Sequence, residues 1–121
     1  MNKLSIIIPV FNEEKTISEM LKRVNEVKIF GVEKQIIVVN DGSSDGTKNA
    51  ILSSPAKSNV KVINHTKNQG KGAAIQTGIE NATGDYIVIQ DADLEYNPKD
   101  IEKLVKPILD GKSKVVYGTR L

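Results

Sequence analysis

Asp91 and Asp93 stand two residues apart at the end of an apolar, β-branched run, Tyr86-Ile87-Val88-Ile89. In extended chain, residues two apart point the same way, so both carboxylates can face one centre. Paired anionic oxygens suit a hard divalent cation such as Mg2+ or Mn2+, with phosphates and water completing its shell. A plainer reading competes with this one: short acids at strand ends also cap helices and satisfy loop amides. The pair gains meaning only from what surrounds it.

The elements that would position it follow from periodicity. Leu4 to Phe11 is a continuous apolar run, the mark of a strand covered on both faces, ending at Pro9 or just after. Asn12 is placed to cap a helix with Glu13 and Glu14 in its first turn. Ile17, Met20, Leu21, Val24 and Val27 form the apolar stripe of that helix. Gln35 to Val39 reads as a second strand, and Asn40 to Thr47 as a turn-rich loop in which Ser44 or Asp45 caps a short helix through Leu52. After a polar connector, Ser53 to Asn59, come a third strand at Val60 to Asn64 and a helix from about Ala73 to Asn81. Gly84 precedes the fourth strand, Tyr86 to Gln90. Beyond Pro98 a helix is expected as far as Gly111, kinked at Pro107, then a fifth strand at Lys114 to Tyr117.

Alternation of this kind predicts an α/β, Rossmann-like, doubly wound and mostly parallel sheet with helices on both faces. Ligands of such sheets bind beyond the carboxyl ends of the strands, where strand order reverses. Phe11 to Glu13, Asn40 to Ser44, Gly70 to Gly72, Asp91 to Asp93 and Arg120 all fall at that edge.

The 121 residues are enough for one domain, and 17 basic and 15 acidic side chains are interspersed to give a net charge of +2. That pattern gives no footprint for nucleic acid. Cysteine is absent, which excludes disulfides and thiolate chemistry and fits a reducing compartment. No apolar stretch approaches the roughly 18 to 20 residues that cross a bilayer. The expected location is the cytoplasm, with peripheral placement at the cytoplasmic membrane face.

Familiar nucleotide motifs do not fit. Gly70-Lys71-Gly72-Ala73-Ala74-Ile75 misses the dinucleotide fingerprint at its third position and follows the wrong strand, and no Walker A sequence is present. A phosphotransfer receiver would also carry carboxylates at strand ends, on Asp41 or Asp91. His65, the only histidine, reads as a surface side chain rather than a general base, and Tyr96 and Tyr117 as packing residues.

Taken together, six segments in order resemble a family 2 glycosyltransferase of the GT-A fold. They are Pro9-Val10-Phe11-Asn12-Glu13, Val39 to Thr47, Asn68 to Gly72, Gly84-Asp85-Tyr86, Asp91-Ala92-Asp93-Leu94 and Gly118-Thr119-Arg120. The likeness is greatest to polyprenyl-phosphate sugar transferases such as dolichol-phosphate mannosyltransferase. It implies transfer of a sugar from a UDP- or GDP-sugar to a lipid phosphate or saccharide, metal-assisted and inverting. Pro9, Phe11 and Glu13 would frame base and ribose, and Val39 and Asp41 would contact the base. Asp91, Ala92 and Asp93 would hold diphosphate and metal, Arg120 would reach the pyrophosphate or sugar, and Lys71 would neutralise phosphate. Two departures from the family pattern stand out: Phe11 replaces a common Tyr, and Asn40 a frequent Asp.

The resemblance also implies that residues 1–121 form the donor-binding part of a longer enzyme, whose acceptor side follows. An open sheet edge in such a part would invite a homodimer. The alternative is a nucleotide-binding or interaction module with the fold but no transferase activity.

Overall fold

The computed structural model describes residues 2–29, 31–92 and 115–118. Five strands, β1 (Asn2–Val10), β2 (Val32–Asp41), β3 (Val60–His65), β4 (Tyr86–Gln90) and β5 (Val115–Gly118), form one sheet in the order β3-β2-β1-β4-β5. Every pairing is parallel. The helices among the described residues are α1 (Ile17–Glu26), α2 (Thr47–Leu52) and α3 (Lys71–Asn81). A 3-10 turn at Pro55–Asn59 occupies the polar connector, its first free amide at Ala56 bonded to Ser54 Oγ. The helix expected after Pro98, with its kink at Pro107, lies outside the described residues.

Period-two alternation sorts the apolar runs onto two faces. Leu4, Ile6, Ile8 and Val10 of β1, with Ile36 and Val38 of β2, pack against Ile17, Met20, Leu21 and Val24 of α1 and Ile51 of α2. Ile37 and Val39 turn the other way, toward Ala74 of α3. On that second face Gly78 brings α3 down onto β1, where a Cβ would lie 2.4 Å from Ile7 Cγ2. Each fully buried Leu or Ile contributes about 1.5 to 3 kcal/mol by leaving water, so a strand covered on both sides earns its place in the centre.

Strand order reverses between β1 and β4. The β4 partners of β1 run only from Leu4 to Ile7, whereas β2 accompanies β1 as far as Val10. Pro9, which has no N–H to give a ladder, therefore sits beyond the point where β1 has neighbours on both sides. In sheets of this kind ligands bind beyond that point, between the carboxyl ends of β1 and β4.

Two local expectations are corrected. Helix α1 begins at Ile17, five residues beyond Asn12, and its first turn carries Glu19 rather than Glu13 and Glu14. Asn12 adopts φ +53, outside any helix-capping geometry, because its side chain is engaged elsewhere. No helix among the described residues is long and apolar enough to cross a membrane.

Candidate functional site

Two loops at the carboxyl edge are stitched together. The Asn12 amide donates to Ser43 Oγ at 3.0 Å, and Asn12 Oδ1 accepts from the Ser44 amide at 2.8 Å. The Glu13 amide donates to Thr47 Oγ1 at 2.8 Å, and Glu14 Oε2 accepts from the Gly46 amide at 3.1 Å. Glu13 Oε2 accepts in turn from Thr16 Oγ1. The N-cap of α2 is Gly46, not Ser44 or Asp45 as expected; Asp45 Oδ1 instead accepts from both the amide and the hydroxyl of Thr47, the first helical residue. These bonds hold the β1–α1 loop against the β2–α2 loop and leave Phe11 47% exposed at the carboxyl end of β1.

Asp41 is the hub of a second arrangement. Its Oδ1 accepts from the Gln69 amide at 2.9 Å and lies 2.8 Å from His65 Nδ1. Its Oδ2 accepts from the Gly70 amide at 2.9 Å and from Asn68 Nδ2 at 3.2 Å. Burial disfavours the charge, but the His65 hydrogen bond and the two backbone amides outweigh it and hold the carboxyl below the usual carboxylate range. Gly42 makes the arrangement sterically feasible. At φ +67, a Cβ there would lie 2.3 Å from the Asn68 nitrogen, so only glycine lets the 67–70 segment cross so near.

This placement changes what is expected of Val39 and Asp41. Val39 is fully buried, and Asp41 is 2% exposed with both oxygens already engaged within the chain. Neither side chain presents surface to a nucleotide base, so Asp41 here organises the 65–70 loop instead. Pro9 is likewise interior, paired in register with Val39. His65 is corrected as well: it is not a surface side chain but a closed link, with Nε2 2.8 Å from Thr77 Oγ1.

The loop that Asp41 gathers ends at Gly70, with φ +102, and α3 begins at Lys71. Lys71 Nζ lies 2.5 Å from Asp91 Oδ1, joining the start of α3 to the end of β4 across the reversal point. Their side chains are 57% and 18% exposed. An ion pair so open to water contributes at most about 1 kcal/mol, so its interest is its location. Asp91 receives a cation at the position where a diphosphate and metal were expected, and a carboxylate that accepts an ammonium also suits a hard divalent cation. Ala92 is buried beside it. Asp93 and Arg120 lie outside the described residues, and among those described no group of three or more His, Cys, Asp or Glu is disposed around a metal position. Sequence reasoning had no role for the 65–77 network; its one available signal was that His65 ends a strand, as Asp41 does.

Comparison with known proteins agrees with this geometry. The description "Glycosyl transferase family 2" matches residues 5–121. A dolichol-phosphate mannosyltransferase of Pyrococcus furiosus is 37% identical over 118 residues, covering 98% of this chain and 33% of the relative. An uncharacterized protein of Methanocaldococcus jannaschii is 38% identical over 120 residues, 94% of this chain and 50% of that one. The chain thus spans between a third and a half of the length of these relatives. Among solved structures, a mannosyltransferase of Pyrobaculum calidifontis in complex with GDP-Man and Mn2+ superposes with a TM-score of 0.75 at 28% identity. It covers 87% of this chain and 32% of that one. Glucosyl-3-phosphoglycerate synthase of Mycobacterium tuberculosis, in complex with Mn2+, UDP and glucosyl-3-phosphoglycerate, gives 0.74 at 26% identity, covering 89% of this chain and 40% of the other. The parallel sheet is the Rossmann-like GT-A arrangement of these neighbours. With the match running through nearly every residue, the chain belongs to glycosyl transferase family 2.

Proposed function

We propose that this chain forms the donor site of a glycosyltransferase that moves a sugar from a UDP- or GDP-sugar to an acceptor, with inversion at the anomeric carbon. The Lys71–Asp91 pair at the β1/β4 reversal carries the reading, because it sets a cation and an anion where a nucleoside diphosphate must be held. The exposed Phe11 ring offers a face for the base, and Lys71 a positive charge for phosphate. Asp91 and Asp93 would hold Mg2+ or Mn2+, which supplies positive charge at the departing diphosphate. Arg120 would add a further cation near the pyrophosphate or sugar, and Glu13 would frame the ribose.

Departure of the nucleoside diphosphate leaves an oxocarbenium-like carbon, attacked from the opposite face by an acceptor oxygen. A polyprenyl phosphate is already anionic and requires no base; a saccharide hydroxyl requires one. The likeness to a dolichol-phosphate mannosyltransferase favours the lipid phosphate, and with it cytoplasmic placement at a membrane face. A phosphotransfer reading is disfavoured for Asp41, whose oxygens are committed within the fold.

Titration calorimetry of the purified chain with UDP and with GDP, each with Mn2+ and again with EDTA, tests the proposal. One nucleotide should bind, and chelation should abolish the heat. Equal binding with and without EDTA would overturn the metal-assisted site, and absence of binding by both nucleotides would overturn the donor site.

A further inference from the structure

The His65 ring has no free edge. Nδ1 faces Asp41 and Nε2 faces Thr77, both at 2.8 Å, and 9% of the side chain is exposed. A carboxylate only accepts, so Nδ1 carries its proton whether the ring is neutral or charged. The Thr77 hydroxyl can accept from Nε2–H or donate to a bare Nε2, so that link also survives either state. A ring with both nitrogens so engaged has nothing to offer a substrate as acid or base.

What it does have is reach, since it connects the end of β2 through Asp41, the end of β3 through itself, and the body of α3 through Thr77. The same Asp41 carboxylate holds the amides of Gln69 and Gly70, immediately before α3. Helix α3 is therefore anchored at two places, the two residues that lead into it directly and Thr77 by way of the imidazole. Ala74 and Gly78 seat α3 on the sheet through apolar packing alone, and the two polar anchors add directional bonds that hold its rotation to one setting. Rotation of α3 is what swings the Lys71 side chain, because Lys71 is its first residue.

We infer that His65 is a positioning residue of the donor site: bridging Asp41 to Thr77, it fixes the axial rotation of α3 and so aims Lys71 at Asp91 and at the donor diphosphate. The inference rests on the donor-site reading above. It assigns the lone histidine to the geometry of phosphate recognition rather than to proton transfer.

The test uses the full chain and measures UDP and GDP affinity with Mn2+ for wild type, His65→Leu, Thr77→Val, Lys71→Met and His65→Leu with Lys71→Met. Thr77→Val removes a single hydroxyl and stands in if His65→Leu fails to fold. His65→Leu or Thr77→Val should weaken the bound nucleotide by about tenfold, and on the Lys71→Met background His65→Leu should add less than about twofold, since both act on one ammonium. A merely architectural histidine would give additive losses, and that result overturns the inference, as does wild-type affinity in both His65→Leu and Thr77→Val. If the wild-type chain binds neither nucleotide, the donor-site reading itself falls and takes this inference with it. Wild-type binding with unchanged variants removes only the role of His65.

Discussion

Ser5 and Gly84 approach so closely that a Cβ on residue 84 would lie 2.6 Å from Ser5 Oγ and 2.7 Å from its backbone nitrogen. The Gly84 amide donates to that hydroxyl at 2.9 Å, and the hydroxyl donates to Gln35 Oε1 at 2.6 Å. Thr83 donates its amide to the same Gln35 oxygen, and Asp85 exchanges two hydrogen bonds with the Lys3 backbone. The Gly84-Asp85 segment thus locks the entry of β4 against β1 and β2, at the edge of the sheet opposite the site. Gly84→Ala should cost about 1 to 3 kcal/mol in chemical denaturation, because two of the three nearest atoms are backbone and cannot swing away. Unchanged stability would mean that the turn relaxes freely and that this lock is loose.

Gly42→Ala meets a harder obstacle, a positive φ together with the backbone of Lys67 and Asn68. The expected loss is roughly 2 to 4 kcal/mol, strain and overpacking combined. Urea titration gives the stability. Amide exchange at Gln69 and Gly70 should rise if the 67–70 segment has been pushed off Asp41, and normal protection there would contradict the crossing described.

Asp41→Asn tests the hub electrostatically. The folded carboxyl titrates below its unfolded value, so its contribution to stability is full above about pH 4, the ordinary carboxylate midpoint, and fades as pH falls toward the folded value. Wild type should lose stability more steeply than Asp41→Asn as the solution is acidified below pH ~4. At neutral pH the variant should be about 1 to 3 kcal/mol less stable, with one oxygen that can no longer accept exchanged for an amide. Parallel stability curves across the acid range would show that the carboxylate charge does no such work.

Asp91→Asn should leave the fold intact, since its carboxylate is partly exposed and bonded to a solvent-exposed lysine head rather than to the core. Nucleotide binding should lose its dependence on Mn2+ and weaken, as read by calorimetry with and without EDTA. A matching loss of thermal stability would make the acid architectural.

The strands and their parallel arrangement were legible because β1 and β2 are apolar at every position in their centres, which only burial on both faces requires. The loops were less so, for a physical reason. Asn12 has the composition of a helix cap, but its amide oxygen is taken by Ser44 of a neighbouring loop, and periodicity carries no information about which loops touch. Asp41 was expected to contact a nucleotide base because the family resemblance implied it; its two oxygens instead meet amides 28 and 29 residues further along the chain. His65 was misplaced at the surface because only the β2–β3 register, which sets His65 beside Asp41, shows that the two strand ends coincide. Asp91 and Lys71 both stood out in the sequence, but their contact depends on β4 lying next to β1, a fact of strand order rather than of local sequence.

The reversal of strand order also imposes a schedule. The β1–β2 pairing can form once some forty residues are available, but the other side of β1 waits for Tyr86, Ile87 and Val88, and the Asp85 side chain reaches a Lys3 amide 82 residues earlier in the chain. Contacts of such sequence separation form late, because a long loop must close before any of them rewards it. During synthesis, then, one flank of the most apolar strand stands open while β2, β3 and α3 are made. The meeting of Lys71 with Asp91 comes into being only when that flank is closed.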